Sequence, residues 1–257
     1  MTSLLEVSDL GVRYGGVVAL EDVSFDVGEG EVVGLIGPNG AGKTTCIDTL
    51  SGFRTPNSGI VRFDGIDLAE ESAHARSRRG FVRTFQSLEL FDDLTVRENL
   101  LVAASTPTLW STLTDALWPK RHDHSQTSRI LGLLDLEQFA DRHPTELSNG
   151  QRHLVALGRA LVSRPRLVLL DEPAAGLDSA ESAELGRILR GLPETGVSVL
   201  LVDHDMSLVF GICDRVHVLD FGRIVASGSP AQIRSDPMVI AAYLGTSAGP
   251  ASGEAES

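Results

Sequence analysis

The chain has 257 residues, 42% of them hydrophobic and 22% charged, which is enough for one large domain or two small ones with a sizeable core. Its formal net charge of −13 argues against a nucleic-acid partner, because such binding requires clustered lysine and arginine. The two cysteines, Cys46 and Cys213, are too few for a disulfide framework and favour a reducing, cytoplasmic setting. The first residues do not predict a signal peptide, and no apolar run approaches the length of a membrane span. Any membrane role is therefore expected to depend on a partner.

Alternating apolar and polar residues predict an antiparallel sheet in the N-terminal part of the chain. Strands are expected over Leu4–Leu10 and Val17–Val27, joined by a turn at Tyr14-Gly15-Gly16, with a further strand over Ile60–Phe63. Two interpretations of Tyr14 stay open. It either stacks on a nucleotide base beside a binding site or packs on the sheet.

A glycine-rich loop carries the most specific pattern in the chain. The residues Gly37-Pro38-Asn39-Gly40-Ala41-Gly42-Lys43-Thr44-Thr45 match G-x-x-x-x-G-K-[ST], between a strand predicted over Glu31–Ile36 and a helix predicted over Thr44–Leu50. Glycines let such a loop wrap around phosphate oxygens, while its N–H groups and the helix dipole attract the anion. Lys43 is predicted to contact the β- and γ-phosphates and the Thr44 hydroxyl to ligate Mg²⁺. The loop predicts binding of a nucleoside triphosphate.

The middle of the chain gives weaker signals. Gln86 follows a predicted strand and precedes the apolar-rich loop Leu88–Phe91, a place from which an amide can reach both Mg²⁺ and an attacking water. A solvated loop residue is the alternative interpretation. The segment from 106 to 126 is the least informative, and the histidine pair His122 and His124 lacks the further ligands that a metal site needs.

A second helix start follows at Leu147-Ser148-Asn149-Gly150-Gln151. Ser148 is the expected N-cap, so this helix would also point N–H groups and the positive end of its dipole outward. An ordinary capped helix is the alternative. The presence of a phosphate-binding loop elsewhere in the chain favours a functional role.

Two apolar strands end in polar residues. Leu167–Leu170 leads into Asp171 and Glu172, and strands that are apolar on both faces are typical of a buried parallel sheet, whose ligands lie at the carboxyl ends. Asp171 is therefore predicted to join the Mg²⁺ shell and Glu172 to act as the base for water. Val197–Val202 ends just before His204, which is predicted to hydrogen-bond the γ-phosphate and to align Glu172 with water.

Together, these motifs resemble the ATPase subunits of ATP-binding cassette (ABC) transporters over nearly the whole chain. Asn149 departs from the commonest signature sequence of that family, which has glycine there. The matching positions are Tyr14 for the base-stacking aromatic, Gly37–Thr45 for the Walker A loop, Gln86 for the Q-loop, Leu147–Gln151 for the signature, Leu170-Asp171-Glu172 for Walker B, Ala175–Asp178 for the D-loop and His204 for the switch histidine.

The resemblance implies an α/β fold, with a P-loop NTPase (RecA-like) core, an N-terminal antiparallel β-subdomain and an inserted helical subdomain at about residues 95–165. Residues 1–246 are expected to form this single nucleotide-binding domain. Asp178 is expected to cap a helix over Ser179–Leu192. Residues 247–257 are small and polar and are expected to form a disordered tail.

The resemblance also implies a mechanism with ATP and Mg²⁺ as cofactors. Two ATPase subunits, identical or different, would enclose two nucleotides, with Ser148 of one subunit closing on the γ-phosphate held by the other. The implied catalytic residues are Glu172, His204, Gln86 and Lys43, and the implied metal ligands are Thr44, Gln86 and Asp171. The implied nucleotide contacts are Tyr14, the loop Gly37, Pro38, Asn39, Gly40, Ala41, Gly42, Lys43, Thr44 and Thr45, the signature residues Ser148, Asn149, Gly150 and Gln151, and Asp178.

The implied setting is the cytoplasmic face of the cell membrane. A groove near Leu88–Phe91 would receive an integral-membrane permease subunit, and a substrate-binding protein would be an indirect partner. Local strings, among them Arg83-Thr84-Phe85-Gln86 and the closing Asp236-Pro237, resemble the branched-chain amino-acid importer ATPases and suggest that substrate class by association.

Two alternative functions stay open. One is a soluble ABC ATPase that acts on DNA or ribosomes, against which stand the absence of a long heptad run and the single Walker A loop. The other is a regulatory nucleotide-binding module that never hydrolyses its ligand. The presence of Glu172, Gln86 and His204 speaks against it.

Overall fold

The computed structural model describes residues 3–84, 88–104 and 124–240. Gln86, most of the segment from 106 to 126 and the predicted tail at 247–257 lie outside the described residues, so the predictions made for them remain predictions. The strands are β1 (Ser3–Tyr14), β2 (Val17–Gly28), β3 (Val32–Ile36), β4 (Ser58–Phe63), β5 (Ile66–Asp67), β6 (Phe81–Arg83), β7 (Leu167–Asp171), β8 (Ser198–Val202), β9 (Arg215–Asp220) and β10 (Arg223–Gly228). The α-helices are α1 (Lys43–Leu50), α2 (Ala73–Arg78), α3 (Val96–Ala104), α4 (His124–Leu133), α5 (Asn149–Leu161), α6 (Ser179–Gly191), α7 (Met206–Ile212) and α8 (Pro230–Ser235).

The strands form two sheets. An antiparallel sheet has the order β2-β1-β4-β5, and a larger sheet has the order β10-β9-β3-β8-β7-β6. In the larger sheet β9, β3, β8, β7 and β6 are parallel, and β10 adds an antiparallel edge. The loop after β3 and the polar residues after β7 and β8 therefore reach the same edge of the sheet.

The parallel sheet is covered on both faces, and its side chains alternate between two apolar cores. On β8, Val199 and Leu201 face a core formed largely with the helices, whereas Leu200 and Val202 face a core shared with the antiparallel sheet and α1. All five residues of β3 and all five residues of β8 are buried. Continuous apolar strands in the sequence thus result from burial on both faces, as expected for a central parallel sheet.

The predicted strands and helices are confirmed, with small changes at their ends. The first strand extends to Tyr14, beyond the predicted end at Leu10, because it pairs with β2 as far as Val17. The helix that begins at Ser179 ends at Gly191 and continues as a short 3₁₀ turn, Leu192–Thr195. The helices α3, α4 and α5 lie between β6 and β7 in the chain, at the place where an inserted helical subdomain was predicted.

Arg76 holds the C-terminal end of α1, the helix that follows the glycine loop, and the sequence did not predict this contact. Its buried guanidinium donates hydrogen bonds to the carbonyl oxygens of Thr49 (2.8 Å) and Leu50 (2.6 Å) at the end of α1, and to that of Leu68 (2.8 Å). A cation at a helix C-terminus satisfies its last carbonyl groups and complements the dipole. The helix that follows the glycine loop is therefore fixed at its far end.

One buried histidine makes the fold sensitive to acid. His217 on β9 is 3% exposed, and its Nδ1 atom lies 2.7 Å from Oγ of Ser227 on β10. Burial, together with the positive charge of Arg215, lowers the pKa of His217 to about 4. Its ordinary pKa is about 6.5, so the unfolded chain binds more protons than the folded chain between these two values.

We therefore expect the free energy of unfolding to fall as the pH decreases from about 6.5 to about 4, by up to about 3 kcal/mol from this residue alone. His217→Gln keeps a polar partner for Ser227 without a titrating group. Denaturant unfolding at several pH values should give a shallower pH dependence for this variant. An identical slope in both proteins would contradict the assignment.

Candidate nucleotide-binding site

The glycine loop between β3 and α1 has the geometry of a phosphate cradle. Gly40 and Gly42 have positive φ angles of 81° and 106°, a region in which residues with a side chain are strained. A Cβ atom on Gly42 would also lie 2.7 Å from the carbonyl oxygen of Ala19. Position 42 of the loop thus requires glycine, because of the positive φ angle there and the close approach of β2.

Lys43, the first residue of α1, lies across this loop. Its Nζ atom donates hydrogen bonds to the carbonyl oxygens of Gly37 (2.7 Å) and Pro38 (3.0 Å). Burial lowers the pKa of Lys43, while the nearby carboxylates of Glu172 and Asp171 act in the opposite direction. The ammonium group therefore bonds to the loop and feels the charge of the carboxylates at the end of β7.

An open cleft of about 500 Å³ lies in front of the loop, a size typical of small-molecule sites. Glu172 reaches it from the end of β7, and Phe221, 89% exposed, borders it from the turn between β9 and β10. Tyr14 is not among the described residues that line this cleft. The guanidinium carbon of Arg54 lies 3.7 Å from the centroid of the Tyr14 ring. The cleft is lined by Val17, Val18, Ala19, Asn39, Gly40, Gly42, Lys43, Thr44, Thr45, Glu172, Phe221 and Gly222.

Asp171 is held by an arginine that the sequence analysis left without a role. Arg83, at the end of β6, donates from Nη2 to Oδ2 of Asp171 (3.0 Å) and from Nη1 to Oδ1 of Asp48 (2.7 Å) on α1. Burial raises the pKa of Asp171, and the bond and charge of Arg83 counteract that effect. Arg83 thus ties the strand that carries the carboxylates to the helix that follows the glycine loop.

The next residue, Glu172, has a positive φ of 48°, an unusual backbone conformation for a residue with a side chain. Its N–H donates to the carbonyl oxygen of Val202 (2.7 Å), which links it to the end of β8. His204 follows the end of β8 by two residues, and its Nδ1 atom lies 3.6 Å from Oε1 of Glu172. The two side chains predicted to act on water are therefore neighbours.

Asp203, which precedes His204 in the chain, is fully buried. It accepts hydrogen bonds from the backbone N–H groups of Asp205 (2.9 Å) and Ala174 (3.4 Å). Burial raises the pKa of Asp203, and the backbone hydrogen bonds oppose the rise. Its carboxylate thus joins the turns that follow β7 and β8.

The second helix start, at Ser148, is capped as predicted, but the residues of the sequence Ser148–Gln151 do not line the cleft. Oγ of Ser148 accepts from the N–H of Gln151 (3.3 Å), and the side chain of Gln151 accepts from the N–H of Ser148 (3.0 Å). The amide of Asn149 donates to the carbonyl oxygen of Gly176 (2.8 Å), so this departure from the common signature joins α5 to the turn before α6. On α6, Asp178 is the N-cap.

The oxygen donors at this edge of the sheet are of the kind that binds Mg²⁺. Among the described residues there is no group of three or more His, Cys, Asp and Glu side chains that could hold a metal ion alone. Mg²⁺ does not require one, because it is usually bound through one or two protein oxygens together with substrate phosphates and water. Thr44 in the cleft and Asp171 at the end of β7 offer oxygen ligands of that kind.

A second cleft, of about 220 Å³, lies beside the loop predicted to receive a membrane subunit. It is lined by β6, by Leu88 and Glu89, and by residues of α3 and α5 that include Ala103 and Arg159. Phe91 lies nearby and is 41% exposed, with the guanidinium carbon of Arg159 5.0 Å from the centroid of its ring. No helix of the described part is long and apolar enough to cross a bilayer.

Comparison with known families decides the class of this site. Residues 20–175 match the family described as "ABC transporter", and residues 223–249 match "Branched-chain amino acid ATP-binding cassette transporter". The chain belongs to the ABC transporter family. It is an ATP-binding ATPase cassette of that family, so the predicted family and fold class are confirmed.

Several relatives match this ABC ATPase over almost their full length. The high-affinity branched-chain amino acid transport ATP-binding protein BraF of Pseudomonas aeruginosa is 41% identical over 266 residues, covering 94% of this chain and 98% of BraF. A solved ATP-binding cassette of an ABC transporter in its ADP conformation is 31% identical, with a TM-score of 0.84, and covers 95% of this chain and 100% of that one. A dimeric cassette in a post-hydrolysis state with ADP and Pi is 25% identical, with a TM-score of 0.71, and covers 88% of this chain and 98% of that one.

The Arg83 ion pair of this ABC ATPase gives a stability prediction. The side chains of Arg83 and Asp171 are 10% and 15% exposed, so removing the arginine leaves a largely buried carboxylate without its partner. We expect Arg83→Met to lower the free energy of unfolding by about 3 kcal/mol in denaturant titrations. Arg97→Met, which breaks the exposed pair with Asp141, is the matched control and should cost less than about 1 kcal/mol. Equal losses in the two variants would contradict the structural role of Arg83.

Proposed function

We propose that this ABC ATPase powers the import of branched-chain or related amino acids by hydrolysing ATP between two ATPase subunits at the cytoplasmic face of a membrane. The observation that carries the proposal is the separation of two half sites. The cleft contains the glycine loop and Glu172, whereas the capped start of α5 lies outside it. A second subunit would bring its own start of α5 to the terminal phosphate.

Nucleotide binding is assigned to the glycine loop and Lys43. The N–H groups of the loop and the N-terminus of α1 would receive the phosphates. The ammonium group of Lys43, now bonded to the carbonyl groups of Gly37 and Pro38, would turn to the β- and γ-phosphates. Thr44 and Asp171, with Gln86 outside the described residues, would hold Mg²⁺, which neutralises phosphate charge when it is bound.

Hydrolysis is assigned to the pair at the ends of β7 and β8. Glu172, directed into the cleft, would accept a proton from water as it attacks the γ-phosphate. His204 would hold the phosphate and Glu172 in line, a role supported by its distance of 3.6 Å from Glu172. The buried carboxylate of Asp203 would keep both turns in place.

The membrane partner and the substrate class rest on different observations. The cleft at Leu88 and Glu89 is lined by apolar residues together with polar and charged ones, among them Arg83 and Arg159, and would receive a cytoplasmic segment of a permease subunit. The amino-acid substrate is supported by the match of residues 223–249 and by the similarity to BraF. Tyr14 stays a proposed base contact, through the ring face that Arg54 does not cover.

Replacement of Glu172 tests the proposed reaction. Glu172→Gln removes the base but keeps the size and polarity of the side chain, so ATP hydrolysis should fall by about 10²- to 10⁴-fold while ATP binding is retained. Size measurement should detect a dimer that depends on MgATP. Glu184→Gln removes the same charge from an exposed position on α6 and, as the control, should leave hydrolysis unchanged. Phosphate release at the wild-type rate from Glu172→Gln would contradict the role.

Replacement of Lys43 tests the loop. Lys43→Ala removes a charged donor from the phosphates, and charge-assisted hydrogen bonds of this kind contribute enough for a loss of affinity of at least about tenfold. Titration with ATP and ADP should show the larger loss for ATP, because the γ-phosphate is bound by the same ammonium group. Wild-type affinity for both nucleotides would refute the assignment.

A further inference from the structure

The carboxylate of Glu181 occupies the donors at the start of α5. Its Oε1 atom accepts hydrogen bonds from the N–H of Gly150 (2.8 Å) and from Oγ of Ser148 (3.1 Å). Its Oε2 atom accepts a longer bond from the N–H of Asp178 (3.4 Å). Glu181 belongs to the first turn of α6, so a residue expected to cap its own helix makes its shorter bonds to a different one.

The first turn of α5, where the helix dipole favours negative charge, has no acidic residue. The helix has 13 residues, and Glu181 supplies the negative charge from outside it. The fit is close, because a Cβ atom on Gly150 would lie 2.9 Å from the carboxyl carbon of Glu181. Glycine at this position therefore permits the approach of the carboxylate. An N–H group and a hydroxyl at a helix start are also the donors that bind a phosphate oxygen.

We propose that Glu181 is a positioning residue of the signature half site, an internal anion that holds Ser148 and Gly150 in the isolated subunit and must leave when the terminal phosphate of a second subunit's nucleotide arrives. This inference rests on the proposed function, in which those two donors grip that phosphate. Two anions cannot share the donors, because each donor offers a single hydrogen and the like charges repel. Dimer closure therefore competes with an intramolecular contact.

The surrounding contacts allow the exchange without unfolding either helix. Asn149 keeps α5 joined to the carbonyl oxygen of Gly176, and Asp178 caps α6 through hydrogen bonds to the N–H groups of Ala180 and Glu181, both 2.8 Å. Released from α5, the carboxylate of Glu181 stays beside the N–H of Asp178 on its own helix. The movement is thus confined to one side chain. The terminal phosphate displaces the Glu181 carboxylate from Ser148 and Gly150 only when the ATP concentration is high enough.

The test compares Glu172→Gln with the double variant Glu172→Gln/Glu181→Gln, in the full chain, by size measurement over a series of MgATP concentrations. The glutamine keeps an acceptor for Gly150 and Ser148 but lacks the charge. We expect half-maximal dimer formation at an ATP concentration about tenfold lower in the double variant, since the charged acceptor is the stronger competitor. ATP affinity of the monomer should not change, because Glu181 belongs to the other half site.

Matched controls separate this effect from general charge and from stability. Glu172→Gln/Glu184→Gln removes the same charge from the same helix, away from α5, and should leave the ATP midpoint where it was. Thermal melts should coincide for the two double variants. An unchanged or higher ATP midpoint in the Glu181 variant would overturn the inference, and so would an equal shift in the Glu184 control. If Glu172→Gln itself forms no dimer at any ATP concentration, the proposed two-subunit function fails instead.

Discussion

The organisation of this ABC ATPase depends on a parallel sheet that is buried on both faces. The inner residues of β3, β7 and β8 are apolar and buried, so the polar groups proposed to bind the nucleotide lie at the edge at which these strands end. The glycine loop, the carboxylates of Asp171 and Glu172, and His204 all reach that edge. Buried charges there must be paired, because a lone charge in a low-dielectric setting is costly. Arg83 forms an ion pair with Asp171, and Lys43 adds a positive charge near Asp171 and Glu172, so the groups that balance the charge at this edge are also among those proposed to meet the nucleotide.

The sequence predicts the elements whose signals are local. The glycine loop lies within nine residues, the apolar strands are continuous runs, and Ser148 and Asp178 precede their helices directly, so spacing alone indicates them. The contacts that position the site cannot be found this way. Arg83 and Asp171 are 88 positions apart, and Gly150 and Glu181 are 31 apart. Nothing in either neighbourhood indicates the partner, because the sheet order and helix packing bring them together. Glu181 does carry a local signal, since it lies three residues after Asp178, the spacing of a capping box, and that box is present. The same signal does not indicate the bonds of Glu181 to Ser148 and Gly150.

Asn149 shows how a departure from a family pattern can be accommodated. Glycine is commonest at this position of the signature, and a side chain there raises the question of whether the helix start stays accessible. In this chain the amide of Asn149 points to the carbonyl oxygen of Gly176, on the turn that leads to α6. Ser148 and Gly150 remain on the side that faces Glu181. The substitution therefore adds a link between the two helices whose starts lie together, and that link is independent of the carboxylate.

A helix start that binds anions presents a difficulty for an isolated subunit. Its N–H groups attract any anion, and a dimer that closed without nucleotide would waste the coupling between ATP and transport. A carboxylate from the same chain accepts from the N–H of Gly150 and from Oγ of Ser148, so these two donors are paired in the isolated subunit. In the proposed dimer it would be a weaker occupant than the terminal phosphate of a nucleotide, which carries more charge and would be held by the second subunit. In the proposed dimer, the formal charge of −13 on this chain would add repulsion against a second copy of it. In the proposed dimer both terms would oppose closure in the absence of ATP, and a phosphate placed between the subunits would reverse the first of them at the point of contact.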